Sequence, residues 1–146
     1  MKINTLTPNL AVSDVRQTIQ FYSENLGFEL IMAVPETQDG IDEQLSDNKV
    51  YVYEFLKKDN VELMLQRVDC FHEDVTIDGK IGASVSFYMQ GKGIEAFYEE
   101  LKNKTIQVFE LKLTWYGIKE FYIRDNNGYV LVPYLSNSCN FWQDIQ

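Results

Sequence analysis

Twenty of the 146 residues carry aromatic rings (nine Tyr, nine Phe, two Trp), and several are spaced so that the rings would share a surface. In the segment VYVYEFL, Tyr51, Tyr53 and Phe55 recur at period two. In a strand this puts the three rings on one face and Val52, Glu54 and Leu56 on the other. Phe87, in the strand segment SFYM, and the pair Trp115-Tyr116, where a strand starts, are further rings. Rings of this kind stack on planar ligands, each good aromatic pair adding about 1 kcal/mol beyond simple burial. Tyr53, Phe55, Phe87, Trp115 and Tyr116 are therefore candidate ligand contacts, with Glu54 as the candidate anchor for a ligand cation. Plain packing at Trp115 and Tyr116, and a solvated charge at Glu54, are the alternatives.

Other chemistries have fewer residues to draw on. His72 is the single histidine, so a Ser-His-Asp or Cys-His set would have to be built on it and on the adjacent Cys70. Cys70 and Cys139 stand far apart and read as two free thiols in a reducing cytoplasm. Gly91-Lys92-Gly93 lacks the spacing of a phosphate-binding loop. Thirteen basic residues against 22 acidic ones give a net charge of −9, which excludes nucleic acid as an expected partner and favours a cationic ligand at long range. No apolar run approaches the roughly 18 residues of a membrane span. The opening MKINTLTPNL has no cationic segment followed by an apolar core, so cytoplasmic localisation is expected.

The elements that must position these residues come in two similar sets. Residues 10–28 read as a strand end, an Asp turn and an amphipathic helix containing Phe21-Tyr22, and residues 86–101 repeat that order around Phe97-Tyr98. The offset is 97 − 21 = 76 residues, the scale of a duplicated supersecondary module. In the first copy, Ser13-Asp14 signals the helix start and Gly27 its stop. Strands are predicted at 3–12, 28–34, 50–56 and 61–66, with a polar loop over 35–48, a candidate mobile segment. In the second copy, strands are predicted at 83–89, 106–111, 118–124 and 129–135, and a helix at 92–102. Asn127-Gly128 reads as a hairpin turn. Fold class is thus α+β, two βαβββ modules forming one domain over 1–135. Module one is 1–67, the linker 68–81, module two 82–135, and 136–146 a C-terminal tail.

Asn9-Leu-Ala-Val-Ser-Asp14, Phe21-Tyr22, Leu26-Gly27-Phe28 and Glu120-Phe-Tyr-Ile-Arg-Asp125 followed by Gly128-Tyr129 resemble the vicinal oxygen chelate superfamily. That superfamily includes glyoxalase I, extradiol dioxygenases and the bleomycin resistance proteins. The resemblance implies a cup closed by the two modules, with metal ligands on the first and last strand of each. Carried over by motif, those positions fall on Thr7, Met64, Ala83 and Val132, which include neither imidazole nor carboxylate. Slipping the register by two gives Asn9 for Thr7, and Glu62 or Gln66 for Met64. Divalent ions at catalytic sites need His, Asp or Glu donors, so no metal or other cofactor is expected.

Among metal-free members the chain looks most similar to the bleomycin resistance type, which sequesters a flat cationic drug in clefts of a dimer. Tyr116 then takes the family's tryptophan position and Trp115 the preceding one. The function expected is sequestration of a small aromatic ligand by a cytoplasmic homodimer. The alternative is a metal-dependent lyase or dioxygenase with unusual ligands, such as Glu62 with Glu54 or His72.

Overall fold

A computed structural model describes residues 1–2, 5–75, 81, 86–114 and 118–136. The chain divides into two compact units, 1–81 and 82–146. The predicted positions Ala83, Trp115 and Tyr116 lie outside the described residues, as do Cys139 and most of the tail.

The first unit runs β1 (Asn9–Val12), α1 (Val15–Leu26), β2 (Glu29–Pro35), β3 (Tyr51–Lys58), β4 (Val61–Arg67) and α2 (Val68–Val75). The sheet order is β1-β4-β3-β2, with β1 parallel to β4 and the other pairs antiparallel. Helix α1 begins where the Asp14 side chain accepts from the Gln17 backbone N–H at 3.0 Å, satisfying a donor the helix cannot. It ends at Gly27, whose φ of 74° is left-handed. Val15, Thr18, Ile19 and Tyr22 form the buried side of α1, which packs against β3 and β4. Beneath it lie Leu10, Val12, Ala33, Leu56, Leu63 and Leu65, all buried. Within the segment read as a linker, the first eight residues form α2, packed against β1 and β4.

The second unit runs β5 (Ser86–Gln90), α3 (Ile94–Lys102), β6 (Gln107–Val108), β7 (Lys112–Leu113), β8 (Ile118–Glu120), β9 (Ile123–Arg124) and β10 (Val130–Ser136). Strand β10 pairs in parallel with β5 and antiparallel with both β8 and β9, which in turn pair with β7 and β6. With β8 and β9 taken as one interrupted path and β6 and β7 as another, this is the connectivity of the first unit. The sequence predicted one strand over 118–124, and the break at Phe121-Tyr122 has a local cause. Tyr134↔Glu120 and Leu131↔Ile123 fix a register that sets Pro133 opposite Phe121, and proline has no N–H to give the ladder. Phe121 turns its ring into the unit's core, against Phe97 and Tyr98 of α3. Those two rings, with Leu131, Ile123, Ile94 and Leu101, make up the helix side.

The hairpin at 125–128 also differs from expectation. Only Gly128 has positive φ, 89°, and the turn is organised by Asp125, whose Oδ1 accepts from the Asn127 and Tyr129 N–H groups at 2.8 and 2.9 Å. It is an Asx-type turn, not a two-residue Asn-Gly turn.

Candidate functional site

Each sheet has one face under its helix and one face that the helix leaves open. In the first unit the open face follows from register. Asn9 pairs with Met64 and Met64 with Phe55, while Ala11 pairs with Gln66 and Gln66 with Tyr53. Met32 and Val34 of β2 extend these rows. Paired residues share a face, so Tyr53, Phe55, Met32 and Met64 surround a polar centre formed by Asn9 and Gln66. Asn9 Nδ2 donates to Gln66 Oε1 at 2.9 Å, and Asn9 Oδ1 is buried with no donor among the described residues. Burial pushes the Tyr53 phenol upward.

One register step below this centre, the Thr7 hydroxyl donates to Glu62 Oε2 at 3.1 Å, and Lys57 Nζ stands 4.0 Å from Glu62 Oε1. Glu62, rather than Met64, is therefore the β4 residue beside Thr7. It is the residue reached by slipping Met64 two places. The hairpin between Lys58 and Val61 turns in two residues and that between Arg124 and Val130 in five.

Two of the predicted face assignments do not hold. Tyr51 does not share the platform of Tyr53 and Phe55. Between Val34↔Tyr53 and Pro35↔Tyr51 the β3 strand gains a residue, a bulge at Val52 that reverses the alternation. The Tyr51 ring lies instead under the Arg16 guanidinium of α1, 5.5 Å from its centroid. Glu54 also faces α1: it pairs with Ala33 and Leu65 on the buried side and is 0% exposed. Neither of its carboxylate oxygens meets a donor among the described residues, and burial raises its pKa to about 8. It cannot reach a ligand stacked on Tyr53, nor share an ion with Glu62 on the opposite face.

The second unit's open face was not read from the sequence. Val132 pairs with Tyr88, and the continuing register sets Tyr122 on its other side; Tyr134 pairs with Glu120, and Glu120 with Lys112. Tyr88 and Tyr134 meet edge to face at 5.9 Å between centroids. The Tyr122 hydroxyl donates to Glu120 Oε1 at 3.1 Å, and Lys112 Nζ lies 4.9 Å from the Tyr122 ring centroid. Burial, then the bond to Glu120, pushes the Tyr122 phenol up to about 12. Glu120 is held by neither of the basic residues near it in sequence. It is 1% exposed, Lys119 bonds Glu95 at 2.7 Å, and Arg124 lies over Phe109. Tyr88, 53% exposed, offers its ring to solvent. Phe87 takes the opposite face, its ring against Tyr129. The usable sequence signal was the Tyr88, Tyr122 and Tyr134 set, whose alignment depends on pairing between strands far apart in the chain.

Among the described residues, the carried-over positions offer few donors to a divalent ion. Thr7 offers a neutral hydroxyl, Glu62 one carboxylate already engaged by Thr7, and Val132 no donor atom. Among the described residues, no cluster of three or more His, Cys, Asp or Glu side chains could hold a metal ion. Also among those residues, no helix is long and apolar enough to cross a membrane.

Comparison with known proteins agrees with this architecture. No curated protein is similar enough in sequence to serve as a relative. Among solved structures, a glyoxalase/bleomycin resistance protein/dioxygenase superfamily member from Sphaerobacter thermophilus superposes with a TM-score of 0.68 at 18% identity, covering 92% of this chain and 98% of its own. TioX from Micromonospora sp. gives 0.68 at 13% identity, covering 90% and 98%. A glyoxalase/bleomycin resistance protein/dioxygenase from Nocardioides gives 0.67 at 13% identity, covering 96% and 88%. At these identities the likeness is one of fold. The family model described as Glyoxalase/Bleomycin resistance protein/Dioxygenase superfamily matches residues 2–132, nearly the whole chain, and the protein belongs to that superfamily.

Proposed function

We propose that this protein is a metal-free small-molecule binder of the bleomycin resistance type, acting as a cytoplasmic homodimer that sequesters an aromatic, cationic compound at its dimer interface. The observation that carries the reading is the character of the open sheet faces. Rings and methionines occupy them, and Thr7 and Val132 stand where metal-dependent relatives need donors. Tyr53 and Phe55 supply the stacking surface in the first unit, with Trp115 and Tyr116 as further candidates. In the second unit, Tyr88 and Tyr134 take the part first expected of Phe87. The anchoring charge passes from Glu54 to Glu120, a buried carboxylate bonded by the Tyr122 hydroxyl, whose ring already attracts the Lys112 ammonium.

Metal analysis of protein purified without chelator, followed by calorimetric titration with flat aromatic cations such as acridinium dyes, tests this. Saturable binding near one ligand per chain, weakened about tenfold or more by Tyr53→Ala or Tyr88→Ala, is the expected result. One tightly held divalent ion per chain, or no binding across such a set, overturns it.

A further inference from the structure

Glu54 and Arg16 lie near each other on the helix side of β3, and only one of them is satisfied. Arg16 Nη2 donates to the backbone carbonyls of Ser46 at 2.6 Å and Lys49 at 2.8 Å, holding the 36–50 loop against α1. The loop is fastened around the same point by other contacts. The Tyr51 hydroxyl donates to Asp42 Oδ2 at 2.7 Å and accepts from the Ser46 N–H at 2.9 Å. Lys49 Nζ bonds Asp42 at 2.9 Å, and Asp42 pairs with Ala33 at the edge of β2. The segment read from sequence as a candidate mobile loop is thus tied down, and Arg16 is its link to the helix.

Beneath this link sits the unpartnered Glu54 carboxyl. It faces Ala33 of β2, Leu65 of β4, and two charges at the start of α1, Arg16 and Asp14. Arg16 favours its ionised form and Asp14 opposes it, but burial outweighs both and keeps the group protonated through neutral pH. An ionised carboxylate left there has one cation within its field. A buried charge without a partner is far more costly than a pair of part-exposed hydrogen bonds to loop carbonyls.

We propose that Arg16 is a two-position latch, fastening the 36–50 loop while Glu54 is neutral and turning onto Glu54 when it ionises, so that the loop is released. Two charged partners that fasten the loop to itself are moved away from that range: bonding to Tyr51 and Lys49 lowers the Asp42 pKa, and bonding to Asp42 raises that of Lys49. Glu54 lies directly between Tyr53 and Phe55 in β3, so the state of the latch is felt by the strand that carries those rings.

Amide hydrogen exchange of the intact protein, corrected for the intrinsic pH dependence of exchange, tests the latch. Protection of the Ser46 and Lys49 amides should fall at least about tenfold between about pH 6 and about pH 9.5. Glu54→Gln should hold protection constant across that range, and Arg16→Met should abolish it at both ends while α1 stays protected. An unchanged pH profile in Glu54→Gln, or in the apolar variant Glu54→Leu, would remove Glu54 as the sensor. Full loop protection in Arg16→Met would remove Arg16 as the latch.

Discussion

The Thr7 hydroxyl and the Glu62 carboxylate are joined by a 3.1 Å hydrogen bond on the open face of the first sheet, where the lead-in to β1 runs beside β4. One carboxylate and one neutral hydroxyl stand side by side there, so a single substitution at Thr7 would put an imidazole next to a carboxylate.

For the wild-type protein, adding Ni²⁺, Zn²⁺ or Mn²⁺ should leave the melting temperature within about 1 °C, because too few donors converge to favour the folded state by mass action. Thr7→His places an imidazole beside Glu62. It should raise Tm by roughly 2–4 °C at millimolar Ni²⁺, as expected for a weak two-ligand site. Differential scanning fluorimetry reads both, and a large metal-induced shift in the wild type would contradict the donor assignment.

Glu54 gives stability a definite dependence on pH. Its folded pKa, about 8, lies above the ordinary value of 4.5. Between those values the unfolded chain gives up the proton and the folded chain keeps it, so stability falls as pH rises through that window. Below it both states are protonated, and above it both are ionised. The full loss is on the order of 5 kcal/mol, seen as a decline on the order of 10–20 °C in Tm. Glu54→Gln should flatten this slope, and Glu54→Leu should be the more stable protein at about pH 8.5, since an apolar side chain removes the buried charge.

Glu120 and Tyr122 are coupled across the strand break. Tyr122→Phe should cost about 1–2 kcal/mol, the loss of one hydrogen bond to a buried carboxylate. Glu120→Ala should cost more, about 2–4 kcal/mol, because it also empties a buried position. Urea denaturation of the two single variants and the double variant should show the effects to be non-additive.

The turn after β9 depends on one side chain. Asp125→Ala leaves the Asn127 and Tyr129 N–H groups without their acceptor and should cost about 1–3 kcal/mol; Asp125→Asn should recover part of this. Gly128→Ala meets no steric obstacle but is forced to φ near 89°, and should cost about 1–2 kcal/mol. Chemical denaturation reads both costs, and amide hydrogen exchange distinguishes the two, because only the Asp125 variants should also lose protection at the Tyr129 amide.

The features legible in the sequence are those set by local chemistry. Asp14 and Gly27 delimit α1 by capping alone, and the 76-residue echo of Phe21-Tyr22 in Phe97-Tyr98 disclosed the duplication. What was not legible depends on residues distant in the chain. The alternation through Tyr51, Tyr53 and Phe55 reads as one uninterrupted face. It breaks because a bulge at Val52 lets Tyr51 meet Arg16 and the loop. Glu54 reads in sequence as a surface charge or a ligand anchor, and only α1 above it decides otherwise. The three tyrosines of the second open face come from β5, β10 and the gap between β8 and β9. That gap is itself produced by Pro133 on the strand opposite.

The Asp125 turn also bears on how the protein ages. Asn127-Gly128 is the type of dipeptide most prone to spontaneous deamidation, in which the glycine amide nitrogen attacks the asparagine side chain and closes a succinimide ring. In the folded chain the Gly128 N–H is held at 3.1 Å by the Asp125 carbonyl, and the Asn127 N–H by the Asp125 carboxylate. The attacking nitrogen is engaged and the backbone around it fixed. Chemical lifetime at this dipeptide is therefore set by how often the hairpin opens, and a variant that loosens the turn should accumulate isoaspartate at position 127 well before it loses its fold.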